Sequence, residues 1–322
     1  MKKALTIATL LGLAGAAQAQ VTMYGVIDMS YGKNNIGVSA TEKEDFHSGG
    51  DNGSSQGNST TRVGIMGSTA VGSGVKANFK FETGGITSKG EVNPGGAFFN
   101  RQAWAGLSGS FGEVRLGKQD GVAFQTMAGF DLNGASNVAA AQVYSLAGTA
   151  LGADALSSNG GRQDRSLQYI SPAMGGFKAQ LGYQPQGNVV GNEANTSIGL
   201  SYSAGPLAVA VTGESKRVVN GNNFAGVAGS YDFGAAKVMI AYADGGTNAK
   251  GTTVGFSVPV AGANIGMNYS KNSDTSAVAT EFFVNKEIFK GTYAYLDFAD
   301  LDKANGPFNK AQAYAAGVIF TF

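Results

Sequence analysis

Few residues of this chain have the capacity for bond-breaking chemistry. Cysteine is absent, and histidine occurs once, as His47 in a stretch rich in Asp, Gly, Ser and Asn. A His/Cys transition-metal centre therefore has no ligand set, and His47 reads as a solvated loop residue. Acyl transfer is no better served. Ser73-Gly74-Val75-Lys76 matches Ser-x-x-Lys, but without its companion motifs. What remains is a set of charges at alternate positions: Lys76, Lys80 and Glu82 in one stretch, Glu113 and Arg115 in another. A row of charges on one face of extended backbone meets water and ions, which suits it to selecting solutes and implies no cofactor.

The elements that would hold such rows are strands. In Val75-Lys76-Ala77-Asn78-Phe79-Lys80-Phe81-Glu82 one face carries Val75, Ala77, Phe79 and Phe81, and the other carries the polar side chains. The same split recurs at Phe177–Tyr183 and Ala263–Tyr269, and in Lys237–Tyr242, where Met239 and Ala241 blur the polar side. About sixteen segments follow the pattern, near residues 21–31, 61–69, 74–84, 98–108, 112–119, 165–172, 176–184, 196–203, 207–215, 224–232, 236–243, 251–259, 263–270, 279–286, 291–299 and 311–322. Connections alternate between short and long, the long ones at about 32–60, 85–97 and 120–164. All six prolines fall in connections or at strand ends, where a missing backbone donor does least harm to a ladder.

Segments this long and numerous exceed what a soluble sandwich requires. No apolar run reaches the ~18 residues of a transmembrane helix, so a chain in a membrane must cross it as a closed barrel, with every backbone group paired internally. Glycine, 50 of 322 residues, fits a wall of small side chains, as at Gly64, Gly182, Gly199, Gly255 and Gly266. Tyr24, Tyr183, Tyr202, Tyr231, Tyr242, Tyr269 and Phe322 are candidates for interfacial aromatic girdles. Met1-Lys2-Lys3, an apolar run to about Ala14 and Ala17-Gln18-Ala19 form the three parts of a secretory leader over residues 1–19, with the barrel domain over 20–322. The 23 Lys and Arg against 22 Asp and Glu include two leader lysines, so the remainder is near neutral and unlike a nucleic-acid binder.

The last segment ends Gly317-Val318-Ile319-Phe320-Thr321-Phe322, which resembles the assembly signal of outer-membrane barrels, with Gly317, Phe320 and Phe322 at its key positions. Val21–Asp28, Thr61-Arg62-Val63-Gly64, Phe99–Leu107, Gly112–Gln119 and Ser166–Pro172, in this order and spacing, resemble the general porins of beta-proteobacteria. That resemblance implies a sixteen-stranded outer-membrane barrel forming a homotrimer, surrounded by outer-membrane lipid and handled by the barrel-assembly machinery. It also implies a long third loop, here about Asp120 to Asp164, folded into the pore that small ions and hydrophilic solutes cross.

Alternation points Lys76, Lys80, Glu82, Glu113 and Arg115 inward. Arg62, Arg101 and Lys118 occupy positions where related porins carry basic constriction residues; Lys118 has the opposite parity to Arg115 and needs a bulge to face the lumen. Asp120, Asp131 and Asp154 on the third loop either face this basic wall and set up a transverse field or decorate solvated turns. The surplus of basic candidates implies a modest anion preference. Competing readings are an outer-membrane barrel enzyme, which lacks a suitable base, a structural or adhesive barrel, and a substrate-selective channel.

Overall fold

Extended backbone dominates a computed structural model that describes residues 20–35, 43–137, 161–188, 190–302 and 310–322. The leader at 1–19 and Asp154 lie outside the described residues. The first half supplies β1 Gln20–Asn34, β2 Asp45–Ser48, β3 Arg62–Gly72, β4 Val75–Gly84, β5 Gln102–Gly109, β6 Gly112–Asp120, β7 Arg162–Ile170, β8 Phe177–Gln184 and β9 Asn195–Ala204. The second supplies β10 Leu207–Glu214, β11 Phe224–Asp232, β12 Lys237–Asp244, β13 Lys250–Val260, β14 Ala263–Asn272, β15 Val278–Phe289, β16 Thr292–Asp302 and β17 Lys310–Thr321.

Sixteen of these form a closed antiparallel ring. Each strand from β3 to β17 pairs with the next, and β1 seals the ring by pairing with β3 through Gln20–Val26 and with β17 through Val26–Asn34. No edge is left for lipid to meet, as a spanning sheet requires. The seventeenth strand, β2, continues the wall where β3 stops, pairing with Met29–Gly32 of β1. Four residues are too few for alternation to reveal. The sequence also starts the fourth segment too early: β5 begins at Gln102, because the Asn100 side chain binds both the N–H and the C=O of Gly84 (2.9 and 3.0 Å) in place of a backbone ladder.

One end of the barrel is closed by tight turns. Ser73-Gly74 (φ 51° and 75°) and Ala261-Gly262 (φ 51° and 76°) take positive φ at both central residues, the geometry that matches the twist of two adjoining strands. The outer surface is an apolar belt: Val209 and Val211 of β10, Ile240 of β12 and Leu296 of β16 are exposed while their alternate neighbours face in. Tyr183, Tyr231, Tyr242, Tyr269 and Phe322 are also exposed on this side, and Tyr202 shares it. Tyr24 does not. Its hydroxyl donates to Glu82 on the inside (2.6 Å), so it is no part of a girdle.

The inner face changes character around the ring. On β13 to β15 it is polar, with Thr253, Asn268, Ser270 and Glu281 buried; on β10 to β12 it is small and apolar, with Ala210, Ala228, Met239, Ala241 and Ala243 buried. The blurred polar side at Met239 and Ala241 thus has a cause. Ala123, Met127 and Phe130, which follow β6, pack on this patch as the main apolar cluster of the molecule.

Candidate functional site

Strand register arranges the inner wall of β1 and β3 to β6 in rows, since directly opposed residues share a face. Nearest the loops run Tyr24, Gly64, Glu82 and Gln102; next come Thr22, Met66, Lys80, Trp104 and Gly117; then Gln20, Ser68, Asn78, Gly106 and Arg115. Lys76, Ser108 and Glu113 face each other nearest the tight turns. Lys76, Lys80, Glu82, Glu113 and Arg115 therefore share the lumen face that alternation assigns them.

Glu82 is the focus of the upper row. It accepts from Tyr24 Oη (2.6 Å) and from Arg101 Nε (2.5 Å), with Lys80 Nζ 3.7 Å away. Arg62 stands beside this cluster and donates to Ser59 Oγ (3.1 Å) and to the Thr60 carbonyl (2.8 Å). Arg162 Nε lies 3.0 Å from Asp120 Oδ1, and its charge is felt at Arg62 together with that of Arg101. Below them Arg115 donates to Glu113 (2.6 Å) and lies over the Trp104 ring, 4.4 Å from its centroid. Arg162 is the cation that sequence reading missed, because it falls inside the stretch assigned to the long third loop, two residues before Asp164.

Cavities open on both sides of the cluster. One of about 860 Å³ lies toward the loops, with Arg101 and Arg162 on its wall beside Lys43, His47 and Lys89. Another of about 480 Å³ lies toward the tight turns and includes Lys80, Trp104 and Arg115. His47 is not solvated: it is 9% exposed and stands 3.9 Å from Asp51. At the lip, Glu44 binds Lys33 (2.9 Å) and Tyr314 (2.7 Å), and these hydrogen bonds hold its carboxyl down at about 2.

The segment after β6 lies inside the ring against the other part of the wall, from β8 to β16. Its short helix, Val122–Met127, and the residues after it follow the inner surface in strand order. Added Cβ atoms show how close the approach is: at Gly182 of β8 one would stand 3.0 Å from Val122, at Gly199 of β9 2.1 Å from Thr126 Oγ1, at Gly226 of β11 3.1 Å from Met127, and at Gly255 of β13 3.0 Å from Leu132. Asn133 Nδ2 then donates to Glu281 (2.9 Å) and Asp297 (2.8 Å), and Ser136 donates to Asp297 (2.5 Å). Asn137 reaches the first loop at Gln56 (2.9 Å). Several wall glycines are therefore seats for loop side chains, where the sequence alone suggested only a wall with nothing to pack.

Two candidate residues sit elsewhere than expected. Lys118 pairs opposite Ala103 on the outward face and binds Asp164 (2.5 Å). The bulge it would need falls on β7 instead, near Arg165 (φ 53°), so β6 keeps its alternation. Asp131 does not face the basic wall. It is buried near Glu281 and Asp297, accepts from the Asn133 N–H (2.9 Å), and its burial raises its carboxyl above the ordinary range. Of the loop acids, Asp120 alone meets the basic wall among the described residues. Gly317 lies under the inward Tyr295 ring, while Phe320 and Phe322 stack outward with centroids 5.8 Å apart.

A further anchor went unnoticed in the sequence. Asp28 of β1, fully buried, accepts from Tyr295 Oη (2.7 Å) and from the backbone N–H groups of Asn58 (2.7 Å) and Ser59 (2.5 Å), tying the first loop to the wall.

Residues 4–320 match the family described as Gram-negative porin. An outer membrane porin protein of Bordetella pertussis is 32% identical over 298 residues, which cover 80% of this chain and 74% of that protein. Outer membrane porin protein 32 of Delftia acidovorans is 30% identical over 250 residues, covering 74% and 68%. Among solved structures, an anion-selective porin from Comamonas acidovorans superposes with a TM-score of 0.75 at 24% identity, over 95% of this chain and 100% of that one.

Proposed function

Because the chain belongs to the Gram-negative porin family, we propose that its lumen is a water-filled channel across the outer membrane for passive diffusion of small hydrophilic solutes and ions, with anions preferred. One observation carries the sign of that preference. Among the described residues Glu82, Glu113 and Asp120 each have an arginine partner, whereas Arg62 donates only to Ser59 and Thr60, and Lys80 stops 3.7 Å short of Glu82. The wall between the two cavities thus carries uncompensated positive charge, which concentrates anions locally whatever the net charge of the chain. The selectivity named for the Comamonas acidovorans relative has the same sign.

The segment from Gly121 to Asn137 would narrow this passage and press it toward β1 and β3 to β6. No catalytic step is assigned. Residues 1–19 would be removed as a leader, Gly317, Phe320 and Phe322 would guide assembly by the barrel-assembly machinery, and three copies would associate.

The test is the reversal potential of the folded protein in planar bilayers under a potassium chloride gradient. The expected potential lies on the chloride side and moves toward zero in the double variant Arg62→Ser, Arg101→Ser. A potential on the potassium side would overturn the anion assignment, and a correctly folded barrel without conductance would overturn the channel itself.

A further inference from the structure

We propose that the recess around Met66, Lys80, Trp104 and Arg115 binds a small planar aromatic carboxylate. The proposal rests on the channel reading above, since Met66, Lys80, Trp104 and Arg115 stand in the rows that face the lumen. Three features of the wall carry it.

The first is the order of side chains. Met66, Lys80 and Trp104 are direct cross-strand neighbours on β3, β4 and β5. A thioether and an indole therefore flank an ammonium group on one row. Strands lie ~4.8 Å apart, so the two apolar members stand about 10 Å from each other, which leaves room for one aromatic ring between them. Lys80 does not fill that gap, because its ammonium leans toward the loops and lies 5.1 Å from the Tyr24 ring centroid.

The second is unused capacity for charge. Arg115 gives Nη2 to Glu113, but its buried Nε has no hydrogen-bond partner among the described residues. Lys80 has no ion pair closer than its 3.7 Å approach to Glu82 among the described residues. The neighbouring carboxylates are committed, Glu82 to Arg101, Glu113 to Arg115 and Asp120 to Arg162. A carboxylate entering between Lys80 and Arg115 would find two cations and, among the described residues, no free acid to oppose it.

The third is the space. Met66, Lys80, Trp104 and Arg115 all line one cavity of about 480 Å³. Met66 is 44% exposed there, a large apolar surface offered to an aqueous channel. Chloride or phosphate would use the cations alone and leave Met66 and Trp104 without a purpose. A neutral sugar would want the indole face that Arg115 covers. An anion with a flat apolar body uses Lys80, Arg115 and Met66 directly, by ion pairing, by stacking on the guanidinium plane that Trp104 backs, and by contact with the thioether.

Trp104 is the single tryptophan of the chain, so intrinsic indole fluorescence reports from this recess alone. The folded full-length barrel in detergent would be titrated with para-nitrobenzoate, with para-nitrobenzyl alcohol as the neutral control. Saturable quenching by the acid, relieved by competing benzoate and absent with the alcohol, is the expected result. Lys80→Gln and Met66→Asn should each weaken the apparent affinity, Lys80→Gln by about tenfold, as for loss of one charge-assisted contact. In bilayers, benzoate should reduce the chloride current of the unmodified protein and do so less in Trp104→Leu.

Linear quenching that is equal for acid and alcohol, or saturable quenching indifferent to both substitutions, would overturn the site. Chloride current without saturable quenching leaves the channel standing and removes the recess proposal. Saturable quenching in a folded barrel that passes no chloride would keep the site and overturn the channel reading.

Discussion

At the scale of single residues, charges inside this barrel divide into those that meet water and those that fasten loops. Asp28 belongs to the second group. Removing its carboxylate leaves the Asn58 and Ser59 N–H groups and the Tyr295 hydroxyl without their acceptor. A buried donor left without its acceptor costs about 1–3 kcal/mol, partly offset here by relief of the carboxylate's own burial, so Asp28→Ala should lower stability by about 1–3 kcal/mol, and Tyr295→Phe by less. Reversible urea unfolding of both variants checks the order. Asp131 gives a prediction with the opposite sense. Its burial raises the folded-state carboxyl above the unfolded value, so its contribution is fully present below the unfolded value, ~3.9, and is lost as pH rises through the folded one. Asp131→Asn should therefore raise the unfolding midpoint at pH 8 relative to the unmodified protein, with little gain at pH 3; an equal gain at both would contradict the assignment. Parity in the sequence reveals inward residues such as Glu82 and Arg115. It does not reveal which inward acids are fasteners, because that depends on loop backbone arriving from thirty or more positions away.

At the scale of elements, alternation is legible wherever one face meets lipid and the other water. It fades on β10 to β12 because the segment carrying Met127 and Phe130 replaces water there, so apolar residues line both faces. No local pattern in the strands announces this; the clue is a run of Ala, Gly and Met at positions expected to be polar. The glycine seats follow the same logic. Gly199→Val would drive a side chain into Thr126 and Val122 without touching the outer belt. Its expected result is a displaced Val122–Met127 helix, seen as changed single-channel conductance with the far-ultraviolet β signal retained. Unchanged conductance would show that this helix does not bound the passage. The short β2 and the missed Arg162 mark the other limit of reading by period, since each lies within or beside a connection where no period runs.

At the scale of the whole molecule, the outer belt and the sealed ring are what a bilayer demands. Val211 stands at mid-height of β10, while Leu207 begins that strand beside a tight turn, and both face outward. Arginine at the first should cost about 2–4 kcal/mol and at the second about 0–1 kcal/mol. Refolding equilibria into lipid vesicles measure the difference, and equal costs would contradict the depth assigned to the belt. The seam between β1 and β17 has one more consequence. It is made of the same antiparallel pairing as every other seam, from Val26↔Thr321 to Asn34↔Ala313. The hydrogen-bonded circle therefore has no first member. Covalent order and spatial order are separable here: a gene rearranged to join β17 to β1 and to open at the Gly234 turn would encode a different linear message for the same circle.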